Sequence, residues 1–321
     1  MKKIVVTEPI HPDGLAILRA QRDFQVELLA ECGPEALKAA LSDAHAVLVR
    51  SARLTAEVLA AAPRLEVVSR HGVGCDLIDV ASCSARGIPV AITAEANAWS
   101  VAEHTLMMML ALAKCTFAYD TAMHEGRYGI RGSLPAFELA GRTAMIVGYG
   151  RIGRLVAPLL KAFRMRVIVA DIALDADLAR EQGCEGVVDF RDYLDQTELL
   201  TLHVPLDEST RHMVGADELA RLPEGAIVIN NARGGVVDEV ALAAALSSGH
   251  LGGAGVDVYE EEPPPPDHPL LEAPNTVLTP HNAASTREGT RRMAMGAAQN
   301  IVDFMHGRLG RGSIFNGSAL P

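Results

Sequence analysis

The stretch Thr143-Ala-Met-Ile-Val-Gly148-Tyr-Gly150-Arg151-Ile152-Gly153 is an apolar run closed by glycines in the spacing Gly-x-Gly-x-x-Gly. It reads as a strand that turns tightly into a helix. In a dinucleotide-binding turn the first glycine permits the sharp bend, the second lets the backbone approach a pyrophosphate, and the third lets helix and strand pack closely. The phosphates then meet the helix N-terminus, where unpaired N–H groups and the helix dipole favour anions. Such a motif is weak alone, and its surroundings decide its meaning. Leu155 to Phe163 reads as a helix and Arg166-Val-Ile-Val-Ala170 as a second buried strand. Asp171 closes that strand, where a carboxylate would accept from a ribose 2′-hydroxyl. An acid at this place repels a 2′-phosphate, which favours NAD over NADP. Gly148, Gly150, Arg151, Ile152, Gly153 and Asp171 are therefore the first candidate cofactor-binding residues.

At 321 residues the chain is long enough for two domains with separate cores, and 49 % hydrophobic residues with 4 % aromatic suits aliphatic parallel sheets. A formal net charge of −11 argues against nucleic acid as a partner, because such binding depends on Lys and Arg neutralising phosphates. Cys32, Cys75, Cys83, Cys115 and Cys184 are odd in number and form no Cys-x-x-Cys pair, so neither a metal site nor a disulfide framework is expected. A reducing cytoplasm fits that usage. The start, Met1-Lys-Lys-Ile-Val-Val-Thr-Glu8, reads as a first strand and not as a signal peptide. Thr105 to Ala113, the most apolar segment, is too short to span a bilayer, and no membrane partner is expected.

Strand and helix patterns alternate along the whole chain, as in α/β proteins with parallel sheets. Lys3 to Val6, Val26 to Leu29, Ala46 to Val49 and Val67 to Ser69 read as strands, separated by helices at Pro12 to Ala20, Pro34 to Leu41 and Thr55 to Ala61. A second series begins at Thr143 and continues through Leu199 to His203, Ala226 to Asn230, Gly253 to Asp257 and Thr276 to Thr279. This predicts two Rossmann-like, doubly wound parallel-sheet domains with the glycine motif in the second. One helix from Ser100 to about Met123 would join them, and another from about Thr286 to His306 would return the chain to the first. The dinucleotide-binding domain, 99–286, is thus expected as an insertion into a substrate domain made of 1–98 and 287–321.

Ligands in such sheets bind outside the carboxyl ends of the strands. Three strand ends in the second series carry unusual polar residues: Asn230-Asn231-Ala232-Arg233, Asp257-Val-Tyr-Glu-Glu-Glu262-Pro, and Thr279-Pro-His281. An arginine, an acid and a histidine offered to one crevice suit hydride transfer to a 2-oxo acid. Arg233 has a cationic fork matched to a carboxylate or a polarised carbonyl. His281 would give a proton to the carbonyl oxygen and take it back in the oxidative direction. Glu262 would hold the imidazole through its other nitrogen and raise its pKa. Taken singly, each has a plain structural reading, a loop histidine after proline or a solvated glutamate. The proline run Pro263 to Pro266 reads as a stiffened surface loop.

Further motifs accompany these: Val49-Arg50-Ser51, Gly72-Val73-Gly74-x-Asp76-x-Ile-Asp79, Asn97-x-x-x-Val-Ala-Glu103, His203-Val204-Pro205-Leu-x-x-x-Thr210, Asn231-Ala-Arg-Gly-Gly-x-Val-Asp238 and Asp257-Val-x-x-x-Glu-Pro263. Over nearly its whole length the chain resembles the D-isomer-specific 2-hydroxyacid dehydrogenase family, which includes phosphoglycerate, glycerate and D-lactate dehydrogenases. The resemblance implies catalytic roles for Arg233, Glu262 and His281, and a flavodoxin-like substrate domain carrying an inserted NAD-binding domain. It implies that His203, Val204, Pro205, Thr210, Asn231, Ala232 and Arg233 line NAD. Asp257 and His281 would lie on the nicotinamide side, and Asp257 would also support the histidine. It further implies that backbone N–H groups of the Gly72-Val73-Gly74 turn, a natural anion nest, bind the substrate carboxylate. Arg50, Ser51 and Asn97 would lie at the rim, and Arg233 and His281 would complete the substrate contacts. His71 could touch the substrate's far end or cap its strand, and Arg50 could equally form a surface ion pair.

The helix from Ser100 is apolar nearly all round and must be buried on more than one side. In the resembled family this segment forms a two-fold interface, so a homodimer through about 100–123 is expected. Because the chain stops at Pro321, the resemblance implies neither the C-terminal regulatory domain of the longer phosphoglycerate dehydrogenases nor feedback by serine. The expected function is NAD-dependent interconversion of a small D-2-hydroxy acid and its 2-oxo acid in a cleft between two closing domains. 3-Phosphoglycerate comes first because Val49-Arg-Ser51 and Asn97 match that subfamily, with glycerate, hydroxypyruvate, glyoxylate and sulfolactate as alternatives. Formate dehydrogenases pair their histidine with an amide where this chain has Glu262. An NAD-sensing corepressor-like binding protein is the reading from another class, since fold alone does not fix function. A methyltransferase leaves the Arg233, Glu262 and His281 set without purpose.

Overall fold

The computed structural model describes residues 1–133 and 135–319. The chain forms two compact units, one made of Met1–Asn97 together with the residues from Ser285 onward, the other of Ala98–Ala284. The first unit is built on β1 (Lys2–Val6), β2 (Phe24–Leu28), β3 (Ala46–Val49), β4 (Val67–Arg70) and β5 (Val90–Ala91), all parallel in the order β2-β1-β3-β4-β5. Both faces of the inner strand β3 are covered, which is why it is a continuous apolar run, whereas the edge strand β2 carries Gln25 and Glu27. Val5, Val47, Val49 and Val68 point into one core with Leu37, Leu41, Val58 and Leu59. Their neighbours Ile4, Val6, Leu48 and Val67 point the opposite way, against Leu18, Ala297, Ala298 and Ile301. The second core therefore depends on helix Arg287–Met305, which the chain supplies only after its return.

The second unit holds β6 (Thr143–Val147), β7 (Arg166–Ala170), β8 (Glu185–Val187), β9 (Leu199–Leu202), β10 (Ala226–Asn230), β11 (Leu251–Val256) and β12 (Thr276–Leu278). These are again all parallel, in the order β12-β11-β10-β9-β6-β7-β8. The strand order reverses at β6, between β7 and β9, and the glycine turn follows β6. Ligands bind at such switch points in open α/β sheets. The carboxyl ends of β9, β10, β11 and β12 deliver His203, Asn231, Asp257 and Thr279 to the same edge of the sheet.

Two local expectations need correction. The single helix from Ser100 to Met123 is two helices, Ala98–Ala113 and Thr116–His124, whose axes turn by 64°. Cys115 takes φ +50° at the break, the Ala113 carbonyl accepts from Phe137 N–H, and Lys114 Nζ donates to the Phe137 carbonyl. Tertiary hydrogen bonds thus claim the groups that would have continued the helix. β5 and β8 are only two and three residues long; β5 lies in the apolar Ile88-Pro-Val-Ala-Ile92, which Pro89 interrupts, and β8, Glu185–Val187, has no apolar run to announce it. Among the described residues no single helix is long and apolar enough to cross a membrane.

Candidate active site

β6 delivers Gly148 at φ +95°, where an added Cβ would stand 2.5 Å from the His203 carbonyl oxygen, so neither the backbone nor the space admits a side chain. Gly153 sits so close beneath the turn that its Cβ would come within 2.2 Å of the Gly148 oxygen. Gly150 differs, since a Cβ there would meet no atom of the described residues within 4 Å. The N–H groups of Gly150 and Ile152, just before helix Gly153–Ala162, find no acceptor among the described residues. Open space beside unpaired donors at a helix start is what a pyrophosphate requires. The residues present therefore fit a dinucleotide.

Asp171 follows β7 and accepts from Tyr149 N–H at 2.7 Å and Ala173 N–H at 2.8 Å. Its carboxylate is thereby fixed against the glycine turn, with lone pairs left for a sugar hydroxyl. His203, after β9, shares a hydrogen bond with Thr201 Oγ1 at 3.1 Å, and its buried Nδ1 has no partner among the described residues. Burial pushes its pKa down to about 3, so the ring is neutral. Val204 is half-buried and Pro205 exposed in the same loop. Thr210 is committed to that loop: its hydroxyl donates to the Pro205 carbonyl at 2.7 Å and accepts from Asp207 N–H at 2.8 Å. Asn231, after β10, donates to Thr105 Oγ1 at 3.1 Å while its own carbonyl oxygen is buried and unpaired. Two orphaned buried polar atoms near the carboxyl ends of β9 and β10 are a further sign that this edge is built for a ligand.

The Arg233 loop is pinned by Asn230, only 1 % exposed, whose amide donates to the Arg233 carbonyl at 2.9 Å and accepts from Ala232 N–H at 3.1 Å. Arg233 itself donates to the buried Ala232 carbonyl at 2.7 Å. His281 has φ +50°, an uncommon backbone for a residue with a side chain, and is held there by N–H bonds to the carbonyls of Asp257 at 2.7 Å and Thr279 at 3.1 Å. The Asp257 carboxylate, 1 % exposed, braces the same turn by accepting from Asn282 N–H at 2.9 Å, Ala283 N–H at 3.0 Å and Thr279 Oγ1 at 2.5 Å. His104 adds a contact to Thr279 Oγ1 at 3.1 Å, and burial lowers its pKa against the pull of Asp257.

His281 Nδ1 lies 2.8 and 3.0 Å from the two oxygens of Glu262. The hydrogen bond to Glu262 raises the imidazole pKa above its ordinary value; burial and Arg233 oppose it, and Asp257 assists. Burial pushes Glu262 upward, but the His281 hydrogen bond and charge, Tyr259 N–H and Arg233 hold its carboxyl below the ordinary value. Both shifts favour the charged forms of the pair, and among the described residues His281 Nε2 makes no hydrogen bond. Arg233, Glu262 and His281 are thus gathered in one place.

In the first unit the turn after β4 narrows the expected anion nest. Gly72 N–H is spent on Arg70 O and Thr93 Oγ1, both at 3.0 Å, whereas the N–H groups of Val73 and Gly74 find no acceptor among the described residues. Arg70 clamps the turn by donating to the carbonyls of Gly74 at 2.7 Å, His71 at 2.6 Å and Arg50 at 2.5 Å. His71 is buried and burial pushes its pKa down to about 4. Ser51 donates its hydroxyl to Glu8, and Glu8 also accepts from the N–H groups of Arg50 at 3.1 Å, Ser51 at 2.9 Å and Ala52 at 3.3 Å. Ser51 thus anchors its loop, while the Arg50 side chain is exposed and the Asn97 side chain half-buried. Glu8 carried no sequence signal, because its partners lie more than forty residues away. The buried Asn230 could have been suspected from its place at an apolar strand's end.

Residues 106–283 match the model of the D-isomer specific 2-hydroxyacid dehydrogenase NAD binding domain. The chain is 38 % identical, over 95 % of its length, to a D-3-phosphoglycerate dehydrogenase of Archaeoglobus fulgidus, but spans only 58 % of that relative. It is 36 % identical to a glyoxylate reductase of Korarchaeum cryptofilum, covering 96 % of this chain and 94 % of that one. Among solved structures, D-lactate dehydrogenase from Aquifex aeolicus complexed with NAD and lactic acid superposes with a TM-score of 0.88 at 29 % identity, covering 97 % of this chain and 98 % of that one. With the NAD-binding domain matched and relatives aligned over nearly all of this sequence, the chain belongs to the D-isomer-specific 2-hydroxyacid dehydrogenase family.

Proposed function

We propose that the protein is an NAD-dependent oxidoreductase that interconverts a small D-2-hydroxy acid and its 2-oxo acid. The observation that carries this reading is the 2.8 Å contact of His281 Nδ1 with Glu262, with the charge of Arg233 acting on both, in the unit that holds the dinucleotide turn. When bound, NADH supplies the hydride for the substrate's carbonyl carbon. His281 donates its Nε2 proton to the carbonyl oxygen, and Glu262 keeps the ring charged and oriented until that transfer. Arg233 neutralises the acid and polarises the carbonyl. In the oxidative direction the neutral imidazole takes the hydroxyl proton back. A carboxylate partner stabilises an imidazolium as an amide cannot, which sets this site apart from formate oxidation.

The N–H groups of Val73 and Gly74 are proposed to donate to the substrate carboxylate, with Arg50 and Asn97 reading its remainder. 3-Phosphoglycerate and phosphohydroxypyruvate are the first candidates, supported by the phosphoglycerate dehydrogenase relatives and by an exposed cation at Arg50. Glyoxylate and hydroxypyruvate reduction is the second reading, favoured by a glyoxylate reductase relative matched over 94 % of its length. Exposed Trp99, Met107, Phe117 and Met123 support a homodimer through this segment. Five free thiols suit the cytoplasm.

The test is loss of NADH absorbance by the purified protein against phosphohydroxypyruvate, hydroxypyruvate, glyoxylate, pyruvate, oxaloacetate and sulfopyruvate, repeated with NADPH. Turnover of one acid with NADH would establish the activity and name the substrate. If NADH bound but every acid failed, an NAD-sensing binding protein would replace this reading.

A further inference from the structure

The mechanism leaves unused a buried ionisable pair, Glu239 and His268. Glu239 is the first residue of helix Glu239–Ser247, and its side chain is only 5 % exposed. One carboxylate oxygen accepts from Glu260 N–H at 2.8 Å and the other from His268 Nε2 at 2.7 Å. His268 Nδ1 accepts from Leu270 N–H, so Nε2 carries the proton that faces Glu239. The His268 ring also meets Tyr259 edge-on, with centroids 6.0 Å apart and planes at 84°.

Tyr259 and Glu260 begin the segment that ends in Glu262. Tyr259 N–H donates to Glu262 Oε1 at 3.2 Å, and the Tyr259 hydroxyl reaches the Thr279 carbonyl at 3.2 Å, two residues before His281. On the other side lies Gly234, next to Arg233. A Cβ there would stand 2.0 Å from the Tyr259 carbonyl and 2.4 Å from Glu260 N, so the two loops rest directly on one another. The 259–260 peptide thus lies between the loop of Arg233 and the carboxylate of Glu262, and it is fastened from below by Glu239 and His268.

We propose that Glu239 and His268 are positioning residues that hold the Tyr259–Glu260 peptide and thereby set where Glu262 stands against His281. The catalytic importance of that placement rests on the proposed dehydrogenase reading. Losing the Glu239 carboxylate frees the peptide, lets Glu262 drift from Nδ1, and leaves the imidazole with less support for its proton. The titratable and charged groups around His281 are Glu262, Asp257 and Arg233; around Glu239 they are His268 and Glu260, and Glu260 is itself bonded to His212 at 2.6 Å.

Glu239→Ala, His268→Ala and His268→Gln should be compared with the unmodified protein by the titration midpoint of the His281 ring in NMR, steady-state kinetics, NADH affinity and thermal unfolding. In Glu239→Ala the His281 midpoint should fall by about half a unit or more toward the ordinary histidine value. The kcat for 2-oxo acid reduction should fall about tenfold or more, with NADH affinity within about twofold. His268→Ala should move the same quantities by less and carries the test if Glu239→Ala does not fold. His268→Gln keeps an N–H for Glu239 and should restore them. A lower melting temperature with an unmoved His281 midpoint in both alanine variants would overturn the proposal. An unmodified protein that reduces no 2-oxo acid, yet shows the midpoint shift on Glu239→Ala, would uphold the positioning and sink the dehydrogenase reading.

Discussion

Alanine at each glycine of the dinucleotide turn should separate folding from binding. Gly148→Ala places a side chain at φ +95° with its Cβ 2.5 Å from the His203 carbonyl oxygen. The backbone conformation costs about 1–3 kcal/mol and the overlap about 1–3 kcal/mol more. For a domain of this size the total corresponds to a melting temperature lower by roughly 5–20 °C. Gly153→Ala, 2.2 Å from the Gly148 oxygen, should behave alike. Gly150→Ala meets nothing within 4 Å and lies outside the left-handed region, so its stability should change by no more than about 0.5 kcal/mol. Its methyl occupies the space a pyrophosphate must enter. Displacing the phosphates from one charge-assisted hydrogen bond, worth about 1.5–3 kcal/mol, weakens NADH binding by roughly 10- to 100-fold. Circular dichroism melts and NADH fluorescence titrations read the two effects separately. A Gly150→Ala protein that bound NADH normally, or melted as low as Gly148→Ala, would refute the assignment of this open face to the cofactor.

Removing the charge with Glu262→Gln should lower the His281 pKa and move the alkaline fall of reductive kcat/KM to lower pH, because reduction needs the protonated ring; an unmoved limb would detach Glu262 from that proton. Arg233→Ala should cut kcat/KM on the order of 10²-fold while NADH binding survives, as separate kinetic and fluorescence titrations would show. His71 is buried with its pKa pushed from 6.5 to about 4. The unfolded chain therefore binds its proton first, and stability present above about pH 6.5 should be lost by about pH 4, by about 3 kcal/mol. Urea melts across that range should be flatter for His71→Asn, and parallel curves would clear His71 of the effect. Phe117→Glu puts a charge on the exposed apolar segment and should yield monomers in sedimentation velocity if that segment joins two copies.

The alternation of strands and helices was legible because parallel strands covered on both faces must be apolar along their whole length, as at Ala46–Val49 and Thr143–Val147. The glycine turn was legible because steric demands leave few residue choices at Gly148 and Gly153. The grouping of Arg233, Glu262 and His281 followed from one rule about strand ends. What stayed hidden depends on contacts remote in sequence. Glu8 meets Arg50, Ser51 and Ala52 across more than forty residues, and nothing near Glu8 marks it as a partner. The helix break at Cys115 arises from Phe137, far along the chain, and local propensity favoured continuing the helix. Gly72 was expected in the anion nest because its backbone is permissive, but Thr93, invisible from the motif, claims its N–H.

The discontinuous first unit has a consequence for synthesis. Its strands through β5 are made well before the helix Arg287–Met305 that seals Ile4, Val6, Leu48 and Val67, which follows the whole inserted unit. At about 5–20 residues per second, a ribosome takes roughly 10–40 s to add the intervening residues. Throughout that interval one side of the nascent sheet is covered only in part, by helix Pro12–Arg19, while the inserted unit, contiguous in sequence, is free to complete itself. The amino-terminal segment through β5 is therefore the part of the newborn chain that most needs a chaperone, and a ribosome stalled before Arg287 would release a protein with a finished cofactor domain attached to a partly open, sticky sheet.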